Sequence, residues 1–438
     1  MSLQWLGIAG MLALVLLLAL RVPVAIAMGV VGFVGYAVAS GLGKAATVLG
    51  QVPFDMGSAY SLAQVPLFIL MGDLAMNAGL SSRLYTAARA VFAGVRGAQA
   101  YATIGACAGF GSVCGSSVAT AATMTRVSMP EMRRAGYDDR VSTGSIAAGG
   151  SLGILIPPSI PLVIYAIIAE QSVTRLYAAA LVPGLVLTLL YMLCIVPITL
   201  ARPAWIPVEH ERLSLPQRLR AAGQAWQVVV LLVFVLGGMY AGWFTATEAA
   251  AVGCVATATV GALFGELTWR GLWRSFEETI RTTCMLFVIV FAAVVFTYFV
   301  VLTQIPNALV AWVQAMELSP IAVIVAMMVF YVVLGCFLEA FGMMLITVPV
   351  FLPLVIQCGY DPIWFGVMLV IVIELGMIHP PMGMNIFVMQ AQLPEVPLLK
   401  LYAGILPFLP APILLLALLI WQPEIATWLA GTVAGPAR

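Results

Sequence analysis

The chain has 438 residues, of which 63% are hydrophobic and only 8% are charged. Soluble globular domains carry roughly 25% charged residues, so this composition excludes a soluble protein and indicates an integral membrane protein with many spans. The net charge of +1 gives no reason to expect a nucleic-acid partner.

Apolar runs predict where the chain crosses the membrane. Residues 1–20 have neither a basic start nor a small-residue cleavage site, so they are interpreted as a retained span and not as a signal peptide. The predicted spans are 4–20, 22–38, 62–76, 177–200, 226–242, 248–264, 284–302 and 401–421. Ranges 81–95 and 307–317 have amphipathic spacing and are predicted to lie at the membrane interface.

Two stretches do not fit simple spans. Range 100–129 is rich in Gly and Ser, with Gly115-Ser116-Ser117 near its middle. Two crossings would need about 40 residues, so a re-entrant hairpin is predicted. Range 141–170 would form a helix of about 45 Å, longer than a bilayer core of about 30 Å. Gly153 and the Pro157-Pro158 pair interrupt it, so a broken helix is predicted.

The same pattern recurs 223 positions later, in ranges 321–352 and 363–392, which therefore predict a second hairpin and a second broken helix. Chance matches of Gly or Pro are common, but a Gly-Tyr-Asp triplet and a Pro-Pro pair in one register are not. The matching positions are Pro130, Gly136, Tyr137, Asp138, Gly153, Pro157 and Pro158 with Pro353, Gly359, Tyr360, Asp361, Gly376, Pro380 and Pro381.

The two repeats are predicted to run in opposite directions. Five crossings separate range 62–76 from its counterpart 284–302, and an odd number inverts the second repeat. Paired broken helices in inverted repeats are typical of secondary transporters with a midplane site. Placing range 81–95 in the cytoplasm puts sixteen Arg and Lys residues inside and only Lys44, Arg175 and Arg438 outside, which predicts both termini outside.

The polar linker 202–220 is the one plausible boundary between the halves. We therefore divide the chain into N-terminal scaffold spans (1–80), a first repeat core (81–200), a cytoplasmic linker with scaffold spans (201–283) and a second repeat (284–438).

Six short motifs stand out along the chain, in ranges 115–122, 130–132, 136–138, 153–161, 242–253 and 374–385. Together they resemble the large membrane subunit of tripartite ATP-independent periplasmic (TRAP) transporters, the DctM-like family. The resemblance covers nearly the whole chain.

This resemblance implies an all-α polytopic protein of the elevator type in the bacterial inner membrane, driven by a sodium gradient. It implies two partners, a soluble periplasmic substrate-binding protein and a small four-span membrane subunit on a separate chain. The family's substrates are mostly small organic anions such as C4-dicarboxylates and sialic acids. No cofactor other than sodium ions is expected.

The second repeat departs from the family's pattern. His379 replaces a frequent Thr, Glu339 replaces a frequent Asp near the hairpin tip, and Ala246 stands where Pro is common. The replacement of Thr by His379 removes a hydroxyl that could bind sodium. His379 could alter the second ion site or add proton coupling, and a neutral structural imidazole is the alternative.

Sodium prefers hard oxygen ligands, which hairpin tips and unwound helices expose as carbonyls beside Ser hydroxyls. The alternative is that Gly and Ser only permit close helix packing. The first predicted sodium or substrate site comprises Gly115, Ser116, Ser117, Ser151, Gly153, Pro157, Pro158 and Ser159. The second comprises Gly335, Glu339, Gly342, Gly376, His379, Pro380, Pro381, Gly383 and Asn385.

Charged residues within the apolar sequence are candidates with structural alternatives. Glu339 and Glu374 lie at membrane depth, where acids are functional or neutralised by a partner. Asp73 and Glu248 are interpreted as structural, the latter as a helix-start acid. Arg126 could bind a substrate carboxylate, although extension to the cytoplasmic surface is the simpler interpretation.

Two other functions stay open. A proton-coupled or binding-protein-independent carboxylate carrier would use the same architecture. An intramembrane enzyme is a remote alternative, because an HExxH motif is absent from the sequence, Ser116 and Ser117 have no histidine nearby in sequence, and the seven cysteines lack an obvious base. A channel is less consistent with inverted broken-helix repeats.

Overall fold

Backbone that crosses a bilayer must satisfy its own hydrogen bonds, so apolar stretches of this kind form helices. The structure is a computed structural model that describes residues 3–207, 213–264 and 266–433. Throughout those residues the regular secondary structure is helical, without a β-strand. The prediction of an all-α polytopic fold is therefore confirmed.

The helices of the first half run from the N-terminus to the polar linker. They are α1 (Leu3–Ala19), α2 (Val24–Ser40), α3 (Leu42–Ser58), α4 (Gln64–Asn77), α5 (Leu80–Phe92), α6 (Ala98–Cys114), α7 (Ser117–Arg134), α8 (Asp139–Ser151), α9 (Ile160–Ile168) and α10 (Val173–Ala201).

The second half repeats this order after the linker. Its helices are α11 (Leu215–Ala222), α12 (Trp226–Tyr240), α13 (Ala246–Leu263), α14 (Trp269–Leu302), α15 (Ile305–Ala315), α16 (Pro320–Gly335), α17 (Ala340–Gln357), α18 (Pro362–Ile378), α19 (Met384–Gln392), α20 (Leu398–Ile405), α21 (Pro410–Trp421) and α22 (Glu424–Val433).

Six of the described helical segments are long and apolar enough to cross a membrane, and α3 with α4 would add a seventh if counted as one bent span. Helices α6 and α7 form the first predicted hairpin, and α16 and α17 form the second. Helices α8 and α9, like α18 and α19, are the two halves of a broken helix. Both hairpins and both broken helices are thus present.

The helix boundaries show that the repeat is more extensive than the sequence motifs. Helix α17 begins and ends 223 positions after α7, at 340 against 117 and at 357 against 134. Helix α12 also begins 223 positions after α1, at 226 against 3. One offset therefore relates α1–α10 to α12–α21, including helices that lie outside both predicted hairpin regions.

Helix α3 was not predicted, because Lys44, Gln51 and Asp55 dilute its apolar character below that of a span. The 223-position offset places it opposite the first half of α14. Between α3 and α4 the chain bends by 62°, and Ala59 adopts an extended conformation there. Helix α14 is instead continuous over 34 residues, and it begins 15 residues before the predicted span 284–302.

Part of the predicted linker 202–220 is helical. Helix α11 begins at Leu215 within the predicted linker. His210 and Arg212 of the linker lie outside the described residues, as does Arg438, one of the three basic residues predicted to be outside.

Burial locates the core of the molecule. Helix α18 is buried at every position from Ile363 to Ile378. Helix α1 exposes large apolar side chains such as Trp5 and Leu12, as expected for a lipid-facing helix. The broken helix of the second repeat therefore runs through the centre of the protein, and α1 lies at its periphery.

Two acids hold helices in place, as the sequence predicted. Thr279 donates a hydrogen bond of 3.0 Å to Asp73, which joins α14 to α4. Glu248 accepts from the Thr245 backbone N–H at 2.8 Å, while its own N–H donates to the Thr245 hydroxyl at 3.3 Å. This reciprocal pair is a capping box, which satisfies two free N–H groups at the start of α13.

An ion pair ties the interfacial helix α5 to the loop after α13. Arg83 Nε donates to Glu266 Oε1 at 2.7 Å, and the guanidinium lies 5.6 Å from the Phe264 ring centroid. We expect Arg83→Ala to lower the free energy of unfolding by about 1 kcal/mol. Thermal unfolding in detergent would measure the loss. Arg220→Ala is the matched control, since Arg220 is exposed, and equal midpoints for the two variants would show that the pair contributes nothing.

Candidate functional site

The first hairpin turns within two residues. Gly115 has φ +64°, a left-handed conformation that favours glycine. Ser116 then caps α7, its hydroxyl accepting from the Ala119 N–H at 3.3 Å. The Thr120 hydroxyl donates to the Ser116 carbonyl oxygen at 2.7 Å. The tip is thus a tight turn held by its own side chains.

The first broken helix leaves α-helical geometry between Ser151 and Ile160, passing through one turn of 3-10 helix at Leu152–Ile154. Ser159 caps α9 by accepting from the Leu162 N–H at 3.4 Å, and it donates to the Ile154 carbonyl at 2.5 Å. The Pro157–Pro158 peptide bond is cis. Every residue from Ser151 to Ile160 is buried, so the break lies inside the protein and not against lipid.

Tip and break meet at backbone distance. A Cβ atom placed on Gly111 would lie 2.5 Å from Gly153 Cα, and one placed on Gly115 would lie 3.1 Å from the Pro158 carbonyl oxygen. The Ile160 N–H donates to the Gly115 carbonyl at 3.4 Å. Glycine is therefore required at these contacts because any side chain would separate the two segments.

Two carbonyl oxygens at the break are free. Those of Pro157 and Pro158 accept no hydrogen bond from the described residues. Hard, unpaired carbonyl oxygens are ligands for sodium. Ser151 does not contribute here, because its hydroxyl donates to the Ala148 carbonyl at 2.7 Å and pairs with the Tyr191 hydroxyl at 2.9 Å.

The second hairpin and break also meet through glycines. A Cβ atom on Gly376 would lie 2.7 Å from Gly335 Cα. Cys336 Sγ lies 4.0 Å from the Pro380 carbonyl oxygen, and the Pro380–Pro381 peptide bond is cis. Gly383 has φ +69° just before α19. The two repeats thus use the same glycine-to-glycine contact.

The carbonyls of the second break are occupied, unlike those of the first. The Tyr402 hydroxyl donates to the Pro381 and Met382 carbonyl oxygens, at 2.5 and 2.8 Å. His379 Nδ1 contacts the Pro380 carbonyl oxygen. The first break therefore offers the freer carbonyl ligands.

A cavity of about 650 Å³ adjoins the second tip and break. Residues of α1, α16 and α19 line this cavity, together with the basic residue Arg21. Sequence analysis did not connect Arg21 with the site, because some 300 residues separate it from the hairpin tip. The lining residues are Val15, Leu18, Ala19, Arg21, Leu334, Gly335, Cys336, Phe337, Leu338, Met382, Met384 and Phe387.

Other predicted site residues lie apart from these contacts. Arg126 is exposed, and its Nε donates to the Ala122 carbonyl at 3.5 Å. It lies nine residues after Ser117, about 14 Å along α7, so the structure does not bring it to the tip. A Cβ on Gly342 would lie 3.0 Å from Val24 Cγ1, so Gly342 faces α2.

Two acids differ in their surroundings. Glu339 is half-buried at the start of α17, without a side-chain cap bond. Glu374 is only 3% exposed, and it accepts from Asn385 Nδ2 at 3.3 Å. The sequence marked Glu374 as an intramembrane acid, but its link to Asn385 across the break emerges only from the fold.

Comparison with known proteins agrees with this architecture. Residues 11–425 match the family described as "Tripartite ATP-independent periplasmic transporter, DctM component". The chain is 34% identical over 374 residues to the C4-dicarboxylate TRAP transporter large permease protein DctM of Pseudomonas aeruginosa, which covers 85% of this chain and 87% of the relative. It is 31% identical over 425 residues to the ectoine TRAP transporter large permease protein TeaC of Halomonas elongata, and the match covers 96% of this chain and 97% of the relative.

Sialic acid permeases are related as well. The chain is 29% identical over 371 residues to the sialic acid TRAP transporter large permease protein SiaM of Vibrio cholerae, and the match covers 83% of this chain and 85% of the relative. Among solved structures, the Alcanivorax borkumensis YdaH transporter has a TM-score of 0.62 over 90% of each chain, at 17% identity. That likeness concerns the fold alone. The family match and the relatives together show that this chain is a transporter permease and belongs to the DctM family of TRAP transporter large permease proteins.

Proposed function

We propose that this chain carries a small organic anion into the cell, driven by an inward sodium gradient, after a periplasmic binding protein has delivered the anion. The observation that carries the proposal is the backbone contact of hairpin tip and helix break. It occurs in both repeats, through Gly111 and Gly153 and through Gly335 and Gly376. In the first repeat it leaves the Pro157 and Pro158 carbonyls available to a cation.

Helix ends at the first contact support binding of both charges. Helices α6 and α8 end there, and the carbonyl ends of helices attract cations. Helices α7 and α9 begin there, and the N–H ends of helices attract anions. A sodium ion and a carboxylate can therefore occupy neighbouring positions, each reducing the electrostatic cost of binding the other.

Packing supports an elevator mechanism. The hairpins contact the broken helices, α7 with α8 and α16 with α18. A second group forms around α14, which packs against α2 and α4, while α4 packs against α13. A largely apolar cavity of about 490 Å³ lies between these groups, with Tyr36 and Tyr298 on one side and Ile167 and Leu345 on the other. The first group would move across the membrane against the second.

The proposed partners follow from the family. Its description as tripartite and periplasmic is consistent with two partners, a soluble binding protein and a small four-span membrane subunit. We place this chain and its small subunit in a bacterial inner membrane, with both termini of this chain periplasmic. The relatives are named for C4-dicarboxylate, ectoine and sialic acid. We take a small carboxylate as the substrate class, and a thermal-shift screen of the cognate binding protein against organic acids would identify the member.

Uptake by reconstituted protein tests the mechanism. Proteoliposomes would hold this chain with its small subunit, and the purified binding protein would supply radiolabelled substrate. We expect uptake under an inward sodium gradient. Uptake should fall to the level of protein-free liposomes when choline replaces sodium or when the binding protein is omitted, because each is required to load the site.

The same assay distinguishes the alternatives. Uptake driven by a proton gradient in choline buffer would contradict sodium coupling. Uptake of free substrate without the binding protein would contradict delivery by a partner.

A further inference from the structure

The carboxylate of Glu374 lies where the two repeats meet. Glu374 belongs to α18, and Asn385 belongs to α19 on the other side of the break. The Ser117 side chain, from the tip of the first hairpin, lies beside Glu374. Glu374 and Ser117 are each 3% exposed and Asn385 is 0% exposed. A buried polar cluster thus joins the first hairpin to the second broken helix.

Two acceptor oxygens of the cluster lack a hydrogen-bond donor among the described residues. Asn385 Nδ2 donates to Glu374 Oε2 at 3.3 Å. Among the described residues, Glu374 Oε1 and Asn385 Oδ1 have no hydrogen-bond partner, and both are buried. Glu374 forms no ion pair with a described Lys, Arg or His. A buried carboxylate without a counter-charge is strongly unfavourable, so this group must be neutralised, either by a proton or by a cation bound at the unpaired oxygens.

The fold itself does not require these polar groups. The 223-position offset pairs Glu374 with Ser151 and Asn385 with Leu162. The Ser151 hydroxyl is satisfied by Tyr191 at 2.9 Å, and Leu162 is fully buried. The first repeat therefore packs the same helices with a small hydroxyl and an apolar side chain. The acid and the amide in the second repeat are additions to that architecture.

We propose that Glu374 Oε1, Asn385 Oδ1 and the Ser117 hydroxyl form a sodium site between the repeats. Three hard oxygens with a single negative charge suit a monovalent cation. In the described part of the chain, no group of three or more His, Cys, Asp or Glu side chains could hold a metal ion, which argues against a divalent site. An ion here would tie the first hairpin tip to the second broken helix.

This inference rests on the proposed sodium coupling and adds a residue, Glu374, to its ion-binding groups. Binding of radioactive sodium to the purified full-length protein at pH 7, with choline as the replacement ion, tests it. We expect Glu374→Gln to bind one sodium ion fewer at saturation. Ser117→Ala and Asn385→Leu, the latter taking the side chain of the first repeat, should raise the half-saturating sodium concentration about three- to tenfold.

Asp73→Asn is the matched control, because it also removes a partly buried acid from a membrane helix but lies outside the cluster. It should bind as much sodium as the wild type. Should Glu374→Gln not fold, Ser117→Ala decides, since it removes one oxygen with almost no change in volume. Equal sodium binding by all variants would overturn this site but leave the proposed function intact.

Two further outcomes are distinguishable. If the wild type binds no sodium, both the site and the proposed coupling are wrong. If Glu374→Gln keeps full sodium binding but abolishes a pH dependence of uptake, the cluster binds a proton instead, and the sodium site is overturned.

Discussion

A disulfide between positions 24 and 342 is expected to stop transport, and its reduction is expected to restore it. Val24 lies at the start of α2 and Gly342 near the start of α17. A Cβ atom on Gly342 would lie 3.6 Å from Val24 Cβ, within the range of about 3.5–4.5 Å that disulfides require. The elevator proposal needs α17 to move past α2, so a covalent bond between them must arrest it.

The test compares one protein in two redox states. The Val24→Cys and Gly342→Cys double variant would be reconstituted, oxidised, assayed for uptake and then reduced. The seven native cysteines are controlled by the two single variants, which should show no change in uptake on oxidation. Undiminished uptake by a fully cross-linked protein would rule out relative movement of α2 and α17.

Gly153→Leu is expected to abolish sodium-driven uptake while leaving a protein that inserts into the membrane. A Cβ atom at Gly153 would lie 2.7 Å from Thr120 Oγ1 and 2.9 Å from the Ser116 carbonyl oxygen. Because backbone atoms cannot move aside cheaply, overpacking here costs about 1–3 kcal/mol or more. The easiest relief is separation of the tip from the break, which removes the proposed ion site.

The matched control is Gly50→Leu. A Cβ atom on Gly50 would meet nothing within 4 Å, so the same substitution adds the same volume to α3 without a clash. Uptake and membrane insertion would be measured for both variants. Normal uptake by Gly153→Leu would contradict the assignment of this contact to the transport site.

Much of the architecture could be predicted from residue patterns. Proline and glycine within long apolar stretches predicted both helix breaks, because proline cannot continue a helix and lipid offers the freed backbone no partner. The hairpin followed from length, since range 100–129 is too short for two crossings. These rules depend on local chemistry, which the sequence contains in full, and on the thickness of a typical bilayer core.

Other features were missed because local hydropathy does not report them. Helix α3 carries polar side chains such as Lys44 and Asp55, so a hydropathy window does not separate it from a loop. The matching part of α14 continues straight into its span, whereas α3 bends by 62° into α4. The difference lies at Ala59, whose extended backbone ends α3, and nothing in the residue type Ala requires that conformation.

Sequence was sufficient to establish an all-α membrane protein, its 223-residue repeat, its hairpins and breaks, and its family, because these depend on composition, spacing and motif. Three-dimensional packing was needed to show which polar groups are unpaired and which meet. The meeting of Ser117 with Glu374, which lie more than 250 residues apart, depends on how the two repeats pack. No local pattern encodes that packing, because each repeat supplies only part of the buried cluster.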